Sequence, residues 1–186
     1  MGDHGRVSRR AHRRQDVVVV GAGLSGLVAA REIARAGHSV NEGRNVYCSV
    51  FENSRIGSVT HYSEAGPLAA GTVMTAEFEL DGQRFVAING GPDFTFDEAV
   101  SLEIECADQD EVDRYWERLT EGGEEGPCGW LKDRYGLSWQ VVPRGMEELF
   151  ADADPKRAER AMQAMFGMRK LDIAALRSAA DGVPAG

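Results

Sequence analysis

Alternation of apolar and polar residues dominates the middle of the chain. Over Thr72–Leu80, Met74, Ala76, Phe78 and Leu80 share one face and Val73, Thr75, Glu77 and Glu79 the other, the period of two that a strand requires. Asp81-Gly82 is a two-residue hairpin signal, and Arg84–Asn89 reads as the returning strand. Arg55–Tyr62 alternates as well, and Val46–Phe51 has the helical spacing of a helix's last turns. Val100, Leu102, Ile104 and Cys106 form one face of a further strand, with Ser101, Glu103 and Glu105 on the other. Asp108 and Glu111 then make a capping box for a helix that buries Val112, Tyr115, Trp116 and Leu119, and Gly122-Gly123 ends it. Gly126–Pro143, reading GPCGWLKDRYGLSWQVVP, predicts a hairpin with a polar tip and a strand stopped by Pro143. Glu98–Pro143 is therefore strand–helix–strand–strand–strand, and the section before it is the same minus its opening strand. The tail is helical: Asp154-Pro155 is an N-cap with proline at the first helical position. Ala158, Met162, Met165 and Phe166 make an apolar stripe that Leu171, Ile173 and Leu176 continue.

The first forty residues follow another pattern. Val17–Val20 predicts a buried, parallel-type strand. Gly21, Gly23 and Gly26 follow as G-x-G-x-x-G and open a helix over Leu24–Ala36. Such glycines allow a tight turn and close approach of backbone to a pyrophosphate, with the helix N-terminus pointing at it. The segment resembles the N-terminal FAD-binding unit of flavin-dependent amine oxidases. After His38-Ser39-Val40, however, the chain reads Asn41-Glu42-Gly43-Arg44 where a second strand and its ribose-binding acid are required. One βα unit cannot enclose a dinucleotide, because the cleft lies between strands at a topological switch point. The expectation is a non-functional fragment and no cofactor, with FAD expected only if the glycine motif works.

Charge and cysteine content narrow the remaining classes. Formal net charge over the 186 residues is −9. Residues 1–15 hold five arginines and one aspartate, so the rest carries −13, which argues against a nucleic-acid surface. The arginine pairs read as a disordered basic tail rather than a twin-arginine export signal, since a folded strand and helix follow them. No apolar run reaches the roughly 20 residues of a membrane helix. Cys48, Cys106 and Cys128 fit neither a disulfide framework nor a zinc spacing, so reduced thiols and a cytoplasmic setting are expected.

From about Asn45 onward, NSRIGSVTHYSEAGP, VMTAEFELDGQRFVAINGGPDFTFDEAVSL, DEVDRYWERLTEGGEEGPCGWLKDRYGLSWQVVP and MQAMFGMRKLDIAALRSAA resemble the PhnB-like, demethylubiquinone methyltransferase-like proteins. These belong to the glyoxalase, or vicinal oxygen chelate, superfamily. The resemblance implies an α+β fold of paired βαβββ modules, the first incomplete, preceded by a Rossmann-like βα fragment and followed by C-terminal helices. The implied divisions are 1–15, a basic tail; 16–44, the βα fragment; 45–150, the PhnB-like domain; and 151–186, a helical extension. The chain then reads as a chimera in which the incoming strand and helix stand in for the lost opening of the first module.

The superfamily places metal-binding His and Glu on the opening and closing strands of each module, around a cup. Here the matching positions offer Asn89, Ser101 and Gln140, poor ligands for zinc or iron beside imidazole and carboxylate. Many relatives carry histidine where this chain has Asp93. The implied cup is metal-free and lined by Asn89, Ser101, Trp130, Trp139 and Gln140. Glu103 and Glu105 read as a solvated strand face. No catalytic residue is identifiable. The resemblance implies a homodimer that binds or converts a small molecule. The alternatives are a flavin-dependent oxidoreductase fragment and a non-catalytic, ligand-sequestering protein.

Overall fold

Asp81 and Gly82 adopt left-handed backbone, with φ of 47° and 77°, and this turn joins β3 (Val73–Leu80) to β4 (Gln83–Ile88) in register. Two consecutive positive φ values give the turn a twist that matches the strands it connects. The computed structural model describes residues 18–21, 40–89 and 96–183. The described strands form two sheets of four, ordered β1-β4-β3-β2 and β5-β8-β7-β6. The first holds β1 (Val18–Gly21) and β2 (Ser54–His61) besides the hairpin. The second holds β5 (Leu102–Cys106), β6 (Glu124–Glu125), β7 (Trp130–Lys132) and β8 (Ser138–Pro143). The fold is α+β, and each sheet seats its opening strand beside its last one.

The two modules differ in the direction of that opening strand. β5 runs parallel to β8, whereas β1 runs antiparallel to β4, with Val18 opposite Ile88 and Gly21 opposite Phe85. The expected parallel-type strand is thus antiparallel. A continuous apolar run reports an apolar environment and carries no information on a partner's direction. The helix expected over Leu24–Ala36 lies outside the described residues. Helix α1 spans Val40–Val50, so the apolar spacing from Val46 onward belongs to its last turns, and the helix crosses residues 44 and 45 without a break.

Helix α2 (Gln109–Thr120) follows its capping signal closely. The Asp108 carboxylate accepts from Glu111 N at 3.0 Å, and the Glu111 carboxylate accepts from Ala107 N at 2.8 Å. Its buried side chains are the four the periodicity predicts, Val112, Tyr115, Trp116 and Leu119. They join one apolar cluster that also takes Tyr47, Val50 and Phe51 of α1, Ala76, Phe78 and Leu80 of β3, and Leu131, Trp139 and Val141. Both modules therefore share a core on the helix side of their sheets.

At the centre of that core sits Asp133, in the expected polar tip. It is 5% exposed. Its Oδ1 accepts from Tyr135 N at 2.8 Å and Leu137 N at 3.1 Å, and its Oδ2 from Tyr47 Oη at 2.9 Å and Trp139 Nε1 at 2.8 Å. Loss of solvent raises its pKa to about 6, against the lowering effect of all four donors. Burial first, then Asp133, holds the Tyr47 hydroxyl well above its ordinary value. The tip is thus a buried knot tying the second module to α1 of the first.

Three helices close the chain: α3 (Met146–Phe150), α4 (Pro155–Phe166) and α5 (Ile173–Ala180). Asp154 caps α4, accepting from Lys156 N at 3.0 Å. The apolar stripe is rotated from its expected position. Ala161 is fully buried while Met162 and Phe166 are exposed. Met146, Leu171 and Leu176 form a second cluster with Val142, Leu149, Phe150, Met165 and Met168. Val142 places this cluster on the face of the second sheet opposite α2, so the C-terminal helices wall one end of that face.

Candidate functional site: the concave face of the second sheet

Neighbouring strand residues point to opposite faces, so the registers of β5, β7 and β8 define what the sheet presents away from α2. Trp130 pairs with Gln140, and Gln140 with Glu103. The next rung pairs Lys132 with Ser138, and Ser101 lies one residue before Leu102, the partner of Trp139. Gln140 Nε2 donates to Ser101 Oγ at 2.9 Å, joining the two rungs diagonally.

Above the β7 end of this face lies a cavity of about 610 Å³. Trp130, Lys132 and Ser138 form its floor, the turn through Gly126–Cys128 one rim, and Met165 and Phe166 of α4 another. Lys132 pairs with Glu98 across the mouth. That hydrogen bond raises the lysine pKa and lowers the glutamate's. Ser138 is 1% exposed, and its hydroxyl has no hydrogen-bond partner among the described residues. A second hollow of about 500 Å³ lies along the free edge of β5, lined by Ser101, Glu103 and Glu105 with Phe51, Leu80 and Phe85 of the first module.

The expected cup residues divide between two faces. Ser101, Trp130 and Gln140 share the concave face, as the registers above require. Trp139 does not join them: it is buried on the α2 side, where its indole donates to Asp133. Adjacent Trp139 and Gln140 cannot both face a cup across one extended strand. Asn89 follows the parity of Phe85 and Ala87 into the core of the first module. It is 1% exposed, and its Nδ2 donates to the Val73 carbonyl at 3.1 Å. Both are buried, and the Asn89 Oδ1 has no hydrogen-bond partner among the described residues. Gly21 ends β1, while Gly23, Gly26 and Asp93 lie outside the described residues. Ser138, Lys132 and Cys128 at the cavity, and Asp133 behind it, carried no expected site role. For Asp133 a local signal existed, because aspartate two residues before a backbone N–H it can accept from is the pattern of an Asx-turn.

A metal ion is implied by the superfamily, and the described donor set does not fit one. Ser101 and Gln140, at the matching positions, are neutral and bonded to each other. Among the described residues no three His, Cys, Asp or Glu side chains gather as a metal site. A thiol nucleophile is equally ill-matched at two of the cysteines. Burial pushes Cys106 up to about 12 and also raises Cys48, so both stay protonated at neutral pH.

A family model described as 3-demethylubiquinone-9 3-methyltransferase matches residues 37–142. The chain belongs to this family. Among solved structures it is similar to a PhnB protein of Bacillus cereus that carries the same methyltransferase designation. Identity is 36%, 55% of this chain and 89% of that one are covered, and the TM-score is 0.50. Protein PA1353 of Pseudomonas aeruginosa is 18% identical, covering 55% and 86% at a TM-score of 0.45. A Staphylococcus aureus protein is 27% identical, covering 55% and 85% at 0.22. At those TM-scores the fold comparison rests on the Bacillus cereus chain. No curated protein matches. The PhnB-like resemblance of the sequence is thereby shown, and the flavin amine oxidase resemblance is not.

Proposed function

We propose that this PhnB-like chain binds a small organic molecule on the concave face of its second module, without a metal ion. The observation that supports this most is the cavity over Trp130, Lys132 and Ser138, whose size falls in the range of small-molecule pockets. Its floor, an indole beside an amine and a hydroxyl, suits binding and orientation. The mutually bonded Ser101 and Gln140 favour the metal-free reading over chelation of a substrate. The test is a thermal-shift screen of small molecules on the wild type and Trp130→Ala, together with metal analysis of the purified chain. Stabilising compounds that lose their effect in the variant support the proposal. A stoichiometric transition metal, or stabilisation indifferent to Trp130, overturns it.

Conversion and sequestration differ in turnover: a bound compound recovered unchanged after long incubation favours sequestration. The methyl transfer named in the family designation, and the flavin chemistry of the alternative, both need a nucleotide-type site. The glycine motif is a poor one, because among the described residues β1 has only an antiparallel neighbour, and a parallel pair builds the cleft. A colourless purified protein accords with this and a flavin absorption band contradicts it. We also propose that the N-terminal strand stands in for the missing opening of the first module, that the chain pairs into a homodimer, and that it works in the cytoplasm. Among the described residues no helix is long and apolar enough to cross a membrane. Light scattering checks the dimer. Unfolding of the full chain against one starting near Asn45 checks the replacement strand.

A further inference from the structure

We propose that the cavity over Trp130 selects a planar organic cation, with the Ser138 hydroxyl as its hydrogen-bonding point. This rests on the small-molecule reading above and names the class of ligand. Buried hydroxyls are almost always paired. Ser138 lies against the cavity, is 1% exposed and has no partner among the described residues. A ligand donor or acceptor seated there completes it.

The shape and charge of the cavity point to the rest of the ligand. Trp130 offers an aromatic surface on the floor, and Phe166, 66% exposed, offers another on the wall. Aromatic surfaces favour a flat ring system as partner, and a positive charge is attracted to an aromatic face. Two carboxylates, those of Glu98 and Glu124, stand on the cavity side beside a single lysine, whereas Glu125, the partner of Leu131, turns its carboxylate toward α2. Lys132 is engaged by Glu98, and Glu125 accepts from Trp116 Nε1 at 3.2 Å and lies 3.8 Å from Arg169. Glu124 makes no ion pair among the described residues. An anionic ligand would have to strip Lys132 from Glu98 and approach the Glu124 carboxylate. A cationic one meets a rim already of the right sign, on a chain of net charge −9.

The test uses the full chain and two probes of similar size. Proflavine is a planar cation with amino donors, and 1-anilinonaphthalene-8-sulfonate is an anion. Fluorescence anisotropy of each is followed against protein concentration, at low and high salt. Proflavine is expected to bind with one-to-one stoichiometry, more tightly than the anion and more weakly as salt rises. Ser138→Ala should weaken it about tenfold, the effect of one lost hydrogen bond. That variant removes an unpaired hydroxyl, so its urea midpoint should be no lower than wild type. Trp130→Leu should weaken proflavine as well. Proflavine binding unaffected by Ser138→Ala, or an anion that binds more tightly in a Trp130-dependent way, overturns the ligand class and leaves the small-molecule reading standing. Failure of both probes and of the compound screen overturns both.

Discussion

Asp133 sets a pH dependence of stability that runs opposite to the usual one for a carboxylate. Its ordinary pKa is about 3.8, and burial raises it to about 6 in the fold. The folded chain therefore binds a proton more tightly than the unfolded chain does. Its contribution is fully present below about pH 3.8 and is lost as pH rises through 6. Integrating between these values gives about 3 kcal/mol in all, of which about 1 kcal/mol falls between pH 7 and pH 5. The surface carboxylates held below their usual values, such as Glu77 and Asp113, change protonation only at lower pH, and act in the other direction. In Asp133→Asn the amide oxygen still accepts the two backbone N–H groups, but the amide nitrogen faces the Tyr47 hydroxyl and the Trp139 indole. The hydroxyl can turn to accept. The indole N–H can only donate and is left buried without an acceptor, at a cost of about 1–3 kcal/mol. Urea unfolding followed by tryptophan fluorescence at pH 7, 6 and 5 measures both chains. The wild type's advantage over the variant should grow by about 1 kcal/mol from pH 7 to pH 5. An advantage that is flat across this range, or that shrinks toward pH 5, would mean the four hydrogen bonds outweigh desolvation, and would refute the reasoning.

Three other substitutions test the fold. Tyr47→Phe removes one donor to the buried carboxylate and its link between modules. Denaturation should show a loss of about 1.5–3 kcal/mol, and the Asp133-linked pH dependence should steepen. Gly123→Ala would put a Cβ 2.2 Å from the Lys132 carbonyl oxygen and 2.8 Å from the Asp133 carbonyl carbon. Backbone cannot yield there cheaply, so the variant should lose over about 2 kcal/mol, read as a lowered urea midpoint. Asp108→Ala leaves Glu111 N without its cap and should cost about 1 kcal/mol by the same assay, with binding at the cavity unchanged.

The parity of strand residues around the candidate site was legible locally. Strict alternation placed Ser101, Glu103 and Glu105 opposite Leu102, Ile104 and Cys106. The same rule applied to adjacent Trp139 and Gln140 separates them, and it sends Asn89 inward with Phe85 and Ala87. Resemblance to a metal-binding cup had grouped these residues by their place in a motif, and the pleat overrode that grouping. Ser138 and Lys132 gave no signal, because a serine at a strand start and a lysine in a turn are ordinary in sequence. Only the rims supplied by residues 124–128 and by α4 make them the floor of a cavity.

The sequence by itself determined what depends on near neighbours: the strand alternation, the Asp81-Gly82 turn, the capped helix with its four buried residues, and the proline-started α4. Their physical causes act over two to four residues and are printed in the chain. The tertiary structure decided the antiparallel seat of β1, the rotation of α4 that buries Ala161 and exposes Phe166, and the burial of Asp133 beneath a turn that reads as polar. Each of these depends on which distant surface covers the segment. Asp133 depends on it most, since two of its donors lie in its own turn while Tyr47 reaches it from the other module.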